Sequence, residues 1–450
     1  MRDVASRLAD RLPADRLLLD DDSLRAHRHD RSGWEPAGLP SAVVTPRSTA
    51  EVQAVLEVAN ETGTPVVVRG AGTGLSGAAT ATAGELVLST AALNAITELS
   101  AADQLAVVQP GVVTAELDRA AGEHGLRYAP DPASVEISTI GGNIATNAGG
   151  LRCAKYGVTR DSVLGLEVVL ADGRVVRTGR RTVKGVTGYD LTGLFVGSEG
   201  TLGVVTSATV RLRPAPAETA TVAAFFDSVE KAAAAVGRLR VQPAIAELLD
   251  ADALEAVDAA QNTSFRARGA AFLLVQTDGH GAGAEAELVR ADLAPLATGV
   301  EVTTDPAVAG ELLAARRFAL PSLEKQGRVL IEDIAVPRAR LAEAVAAIAA
   351  ITRRHGVTAA TLAHAGDGNL HPIFVIDRAA AEIPEAVWAA AGEVFETALR
   401  LGGTLTGEHG VGVLKRKWLP GELSPDTLAL HHSVKRLFDP RGILNPGKAI

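Results

Sequence analysis

Two rhythms of apolar and polar positions divide the chain. Residues 1–40 are charged and helix-like and run into Gly33-Trp34-Glu35-Pro36. From Ser41 short β-branched runs alternate with amphipathic stretches. Ala42-Val43-Val44 predicts a strand, 51–60 a helix, and 65–69 a strand that enters Gly70-Ala71-Gly72-Thr73-Gly74. Strands are expected at 85–88 and 105–108, and a helix over 114–122 closed by a glycine. A polar, glycine-rich stretch covers 130–157. Strands at 163–170 and 175–178 then flank a tight Asp172-Gly173 turn, and a last strand pair is expected at 202–205 and 209–212.

Pro214-Ala215-Pro216 breaks this pattern. Beyond it, helices are expected near 229–240, 282–293, 338–354 and 384–401, with strands near 270–276, 329–335, 358–364 and 370–376. Such alternation suits an antiparallel sheet covered by helices, an α+β domain. Residues 438–446 read as a turn-rich tail.

Composition narrows the picture. A chain of 450 residues exceeds one ordinary core, so two or three domains are expected. With 47% hydrophobic and 22% charged residues it is globular rather than disordered. The longest helical apolar stretch, 341–351, contains Glu343 and falls short of the roughly 20 residues a membrane span needs. The opening residues carry no apolar run of the signal-peptide kind, so a cytoplasmic home is expected, with a peripheral membrane contact compatible. A single cysteine, Cys153, rules out an internal disulfide and a thiolate metal cluster. A net charge of −9 argues against a nucleic-acid footprint but leaves room for small anionic substrates.

Gly72-Thr73-Gly74-Leu75-Ser76-Gly77 matches G-x-G-x-x-G after a strand, a weak signal by itself. The continuation Ala78-Ala79-Thr80-Ala81-Thr82-Ala83-Gly84 is a poor helix, so the loop reads as a backbone N–H cradle for phosphate, with Arg69 adding charge at its rim. A second loop holds Pro130-Asp131-Pro132-Ala133-Ser134 and Thr139-Ile140-Gly141-Gly142-Asn143-Ile144-Ala145-Thr146-Asn147-Ala148-Gly149-Gly150. Residues of this kind weaken a core strand or helix but suit a wrap around a flat polar ligand. Gly197-Ser198-Glu199-Gly200-Thr201-Leu202-Gly203 repeats that character. Three such loops separated by strands suggest one long dinucleotide.

In order and spacing, these loops resemble the PCMH-type FAD-binding domain of the vanillyl-alcohol oxidase family, within it the D-2-hydroxyacid dehydrogenase branch. The resemblance implies a PCMH-type domain at 41–216 after the lead-in, an α+β substrate domain at 217–424, and a tail from 425–450 that returns to the flavin domain. It implies that Arg69, Gly70, Ala71, Gly72, Thr73, Gly74, Leu75, Ser76 and Gly77 hold the pyrophosphate. Ser134, Gly141, Gly142, Asn143, Thr146 and Gly149 are then placed along the flavin and Gly203 and Val205 near the adenosine half, and Pro132, Thr139, Asn147, Ala148, Glu199 and Asn445 join the cofactor set. Many relatives attach FAD through a histidine in the first loop. Thr73 stands there, so FAD is expected to be non-covalent.

The sharpest motif of the second half is His364-Ala365-Gly366-Asp367-Gly368-Asn369-Leu370-His371. Asp-Gly is a strong hairpin-turn signal. With Asp367 and Gly368 as the central turn residues, His364 would sit directly opposite His371, and two imidazoles about 5 Å apart on one face can grip a divalent ion. Glu408 in Thr406-Gly407-Glu408-His409-Gly410 offers a third ligand, and His409 a base. The resemblance implies the same roles and a divalent metal, zinc before manganese or iron. Arg316 is the candidate for the substrate carboxylate, with Arg317 left to solvent and Asn369 added to the substrate set. The lysine that diacid-specific relatives carry on the strand after the helix that runs from Glu311 through Arg316 is replaced by Ile331, which favours a short or apolar D-2-hydroxy acid such as D-lactate or glycolate.

Four alternatives stand beside that reading: a D-2-hydroxyglutarate-type diacid dehydrogenase, a flavin-binding subunit without its own turnover, a metal-dependent hydrolase without flavin, and a flavin reductase of the cell-wall precursor type. An electron acceptor (a quinone, a cytochrome or an electron-transferring flavoprotein) is implied as a partner, and a homodimer is compatible.

Overall fold

A computed structural model describes residues 4–380 and 382–450. The chain forms two compact units. One comprises the residues up to Gly149, Gly157–Ala215 and Glu408–Ile450; the other comprises Gly150–Tyr156 and Pro216–Gly407. The first boundary lies at the Pro214-Ala215-Pro216 break, whereas the return to the first unit comes at Glu408, earlier than the expected tail at 425. Residues 4–40 of the lead-in are part of the first unit, and Leu8 is fully buried there.

The first unit contains two larger sheets and a two-stranded one, Leu126–Arg127 with Arg213–Pro214. Ala42–Val44, Leu86–Ser89 and Val66–Arg69 run parallel, with Leu17–Leu18 antiparallel at one edge. The Thr49–Thr62 helix connects Ala42–Val44 to Val66–Arg69. Ser48 caps it at one end and left-handed Gly63 at the other, and Val52, Val55, Leu56 and Ala59 pack onto the sheet. The last residues complete this sheet: Leu444 bridges Val66 in parallel, and the Asn445 N–H donates to the Val66 carbonyl at 2.8 Å. A second, antiparallel sheet runs in the order Ile96–Ser100, Leu105–Val108, Val204–Arg211, Val163–Val169, Val175–Gly179. The strand pair expected at 202–212 is a single strand, Val204–Arg211, whose alternating burial puts Val204, Ala208 and Val210 inside.

A further departure is the helix Ile140–Thr146, which lies inside the supposedly irregular glycine-rich loop. Gly-Gly-Asn opposes a helix, but tertiary context overrides it. Ile140 and Ile144, one turn apart, are both fully buried, Thr139 caps the start, and Asn147 closes the end in the left-handed region.

The second unit is built on one antiparallel sheet in the order Gly299–Thr303, Thr219–Phe226, Ala271–Asp278, Ile245–Leu249, Thr358–His364, Asn369–Ile376, Arg328–Ile331, with Ile334–Ala335 pairing beside the last hairpin. Helices Ala251–Gln261 and Pro306–Gln326 cover one face. Leu254, Val257, Leu312, Ala319 and Leu323 pack there on Phe225, Leu249, Phe272, Leu362 and Ile373. The segment Gly150–Tyr156 joins this unit through its own bonds. Gln242 donates to the Ala154 carbonyl, and the Tyr156 hydroxyl and Lys155 ammonium both donate to Asp278. Among the described residues no helix is long and apolar enough to cross a membrane.

Candidate active site

In the first unit the three glycine-rich loops converge. A Cβ on Gly70 would stand 2.7 Å from Thr139 Oγ1 and 3.6 Å from Gly142, so the first and second loops touch there. The third loop bonds to the second: the Gly197 and Glu199 N–H groups donate to the Ile144 and Ala145 carbonyls, both at 2.8 Å. Asn445 braces the set, accepting from the Val68 N–H and donating to the Glu199 carbonyl. Partly exposed backbone remains at Gly70, Gly72, Thr73, Gly74, Leu75, Gly141, Gly142, Thr146 and Asn147, with Ala71 exposed. A dinucleotide with backbone-bound phosphates fits such a surface.

Several expected contacts turn inward instead. Arg69 is not at the rim. Its guanidinium lies beneath Gly72, at whose α-carbon any side chain would collide with it, and donates to the Ala79 carbonyl. Burial pulls its pKa down, opposed by the nearby Asp30 charge. The Asn143 amide is buried and donates to Thr114 Oγ1 at 2.7 Å. Pro132, Thr139, Ala148, Gly149 and Gly203 are also buried, while Ser134 and Val205 are partly exposed.

Glu199 has a role that its motif does not announce. Its carboxylate accepts from the N–H groups of Val411 and Gly412, each at 2.8 Å. Burial pushes it up to about 7, against those two bonds and the Lys415 charge, which act to lower it. Ser76 grips the same loop: its hydroxyl donates to the His409 carbonyl at 3.1 Å, and its carbonyl accepts from Val413 and Leu414. A side chain on Gly412 (φ +51°) would fall 2.0 Å from the Ser76 carbonyl oxygen, so only glycine fits. Glu408 and His409 therefore open a loop held from the first and third glycine-rich loops, with His409 Nε2 3.7 Å from Glu408 Oε1.

In the second unit the hairpin differs from the expected two-residue turn. Residues 365–368 form a four-residue loop in which the N–H groups of Asp367 and Gly368 both donate to the His364 carbonyl. His364 therefore faces Asn369, and His371 faces Leu362. A slip of two residues preserves which face each side chain occupies, so the histidines remain neighbours, now diagonal, with ring centroids 5.2 Å apart. Gly368 (φ +90°) permits the longer loop, and its carbonyl accepts from the Val336 N–H.

Two buried acids organise this face. Glu247, 0% exposed on the strand beside His364, accepts from His364 Nδ1 at 2.7 Å and Arg316 Nε at 2.6 Å. Asp333, also 0% exposed, accepts from Asn369 Nδ2 and Thr406 Oγ1, both at 2.6 Å, and stands 3.7 Å from His371 Nδ1. Asn369 thus orients the acid beside His371. Arg316 lies on the same helix face as Leu312, Ala319 and Leu323, while Arg317 is exposed. Neither acid stands out in the sequence. The one available signal is a lone carboxylate inside an apolar strand, Ile245-Ala246-Glu247-Leu248-Leu249, every residue of which is buried. The acid bonded to His364 Nδ1 holds that imidazole as metal-ligating histidines are held, Asp333 stands near the second ring, and two imidazoles with a carboxylate are a donor set that suits zinc, manganese or iron.

This architecture is that of a flavin oxidoreductase, and comparison places it. Residues 40–179 match the FAD binding domain family, and residues 215–449 match the FAD linked oxidases, C-terminal domain. The chain belongs to the FAD-linked oxidases, which bind FAD and carry out oxidation–reduction. It is 42% identical to the glycolate oxidase subunit GlcD of Bacillus subtilis over 91% of this chain and 89% of that one. It is 37% identical to the D-lactate dehydrogenase of Archaeoglobus fulgidus over 91% of both. The fold is shared with p-cresol methylhydroxylase, at a TM-score of 0.81, 20% identity, and coverage of 99% and 96%.

Proposed function

We propose that this enzyme oxidises a small D-2-hydroxy acid, D-lactate or glycolate first, to the 2-oxo acid. The observation that carries the proposal is the Glu247 bridge, which puts a guanidinium suited to a carboxylate beside an imidazole suited to a metal. His364, His371 and Glu408 would hold a divalent ion. When bound, FAD supplies the hydride acceptor and the ion supplies Lewis acidity toward the substrate hydroxyl. Arg316 binds the substrate carboxylate through its Nη groups, since Nε is already donated to Glu247. His409 takes the hydroxyl proton as general base. FAD is held without a covalent link, because Thr73 stands where many relatives carry the histidine that attaches it.

The side chain of the acid is expected to be short or apolar. Ile331 pairs with Ile373, two residues beyond His371, so it lies on the same sheet face. No cation comes from that position to meet a second carboxylate.

The test is the visible spectrum of the purified protein under anaerobic conditions. A flavin band near ~450 nm that D-lactate or glycolate bleaches, and L-lactate does not, supports the reading. A flavin that no 2-hydroxy acid reduces sinks the substrate class and leaves a flavin-binding subunit that serves a partner.

A further inference from the structure

We propose that Glu247 is a positioning residue that sets the metal-binding form of His364 and the aim of Arg316 at the same time. The inference rests on the reading of His364 as a metal ligand and Arg316 as the carboxylate clamp.

The argument is one of hydrogen-bond polarity. A carboxylate only accepts. Facing Glu247 at 2.7 Å, His364 Nδ1 must carry the ring proton, which leaves the Nε2 lone pair for an ion. The other oxygen of the same carboxylate accepts from Arg316 Nε at 2.6 Å, which turns the planar guanidinium and leaves its outer edge for a ligand. Glu247 is fully buried and the Arg316 side chain only 11% exposed, so water does not substitute for either bond. The two bonds join residues 117 and 69 positions apart in sequence through one side chain. Substrate carboxylate and metal would therefore share one scaffold atom group, and a disturbance on either side would reach the other.

Glutamine at this position is nearly isosteric but carries one acceptor and one donor. If its oxygen faces His364, its amide N–H₂ meets the Arg316 Nε–H, donor against donor. If it is turned over, the amide donates to His364 Nδ1 and the ring proton moves to Nε2, where it blocks the metal. Both arrangements fail in one half of the site.

The experiment uses the full FAD-loaded chain. Zinc affinity is measured by competition with a chromophoric chelator, and KM and kcat for D-lactate are measured separately, in wild type, Glu247→Gln, Arg316→Met and His364→Ala. Glu247→Gln is expected to weaken zinc binding by about 10- to 100-fold, the range seen when a metal ligand loses its acid partner. It is expected to raise KM as well, at unchanged FAD content. Arg316→Met, which removes no metal ligand, is expected to shift zinc affinity measurably in the same assay. Zinc affinity at the wild-type value in both variants overturns the role of Glu247 while leaving the site reading intact. Zinc binding by wild type that His364→Ala does not alter overturns the site reading, and the Glu247 inference with it.

Discussion

The hydroxyl of Ser76, in the first glycine-rich loop, donates to the backbone carbonyl of His409 at 3.1 Å. A residue placed by the resemblance at the pyrophosphate thus fixes the backbone of the candidate base. General-base removal typically costs about 10²- to 10⁴-fold. His409→Asn is expected to lower kcat by that order while the flavin content stays at the wild-type level, because the Ser76 bond is made to the main chain. Stopped-flow reduction of the flavin by D-lactate checks it. An unchanged reduction rate removes His409 from the role.

His371→Ala is expected to leave the fold intact and abolish stoichiometric metal. His371 sits on a strand paired along its whole length with Thr358–His364, and that pairing does not depend on the imidazole. Metal-to-protein ratios by elemental analysis after dialysis give the answer, with dialysis of the wild type against a chelator as the parallel case. Turnover restored by added zinc is expected only in the wild type.

Ile331→Lys tests the substrate side. A lysine on this partly buried strand would put an ammonium on the face that carries His371. The ratio of kcat/KM for D-2-hydroxyglutarate to that for D-lactate is expected to rise by an order of magnitude or more, since one charge-assisted bond contributes about 1.5–3 kcal/mol. An unmoved ratio places the side-chain pocket elsewhere.

Glu199 makes a prediction about pH. Its folded-state pKa of about 7 lies above the ordinary glutamate value of 4.5. Between those values the folded state keeps a proton that the unfolded state has released. Stability therefore declines as pH rises through that window, by about 3 kcal/mol in all. Glu199→Gln carries no such proton, so its urea midpoint is expected to fall less than that of the wild type between pH 5 and 7.5. Asp250, also buried and raised to about 7, contributes equally to both proteins and cancels in the difference. Parallel profiles would show that Glu199 does not titrate there.

Much of this site is written in short segments. The glycine-rich loops and the His364–His371 motif are local, and local patterns predict them. The hairpin register is a partial success. Asp367-Gly368 does mark a turn, but the His364 carbonyl collects two N–H groups and lengthens the loop to four residues. Parity survives such a change, so the two histidines still share a face. Glu247 and Asp333 escape because their meaning lies in partners distant in sequence, and a lone acid in an apolar strand gives no spacing to measure. Strands Ile96–Ser100, Thr219–Phe226 and Ile245–Leu249 were not expected either. Thr219–Phe226 is rich in alanine and Ile245–Leu249 carries a glutamate, both poor strand formers, and sheet neighbours on both sides supply the pairing that propensity does not. The Ile140–Thr146 helix shows the reverse bias, where packing of two isoleucines outweighs two glycines.

The closing of the parallel sheet by Leu444 and Asn445 has a consequence for how the protein is made. Val68 and Asn445 are 377 residues apart. At about 5–20 residues per second, a ribosome needs roughly 20 to 75 seconds to supply the second after the first. Throughout that interval the Val66–Arg69 strand of the nascent chain lacks its final neighbour and presents an open edge. The loop that carries His409 is made late as well. The sheet is sealed only once the segment around Asn445 has been made, long after the strand it completes.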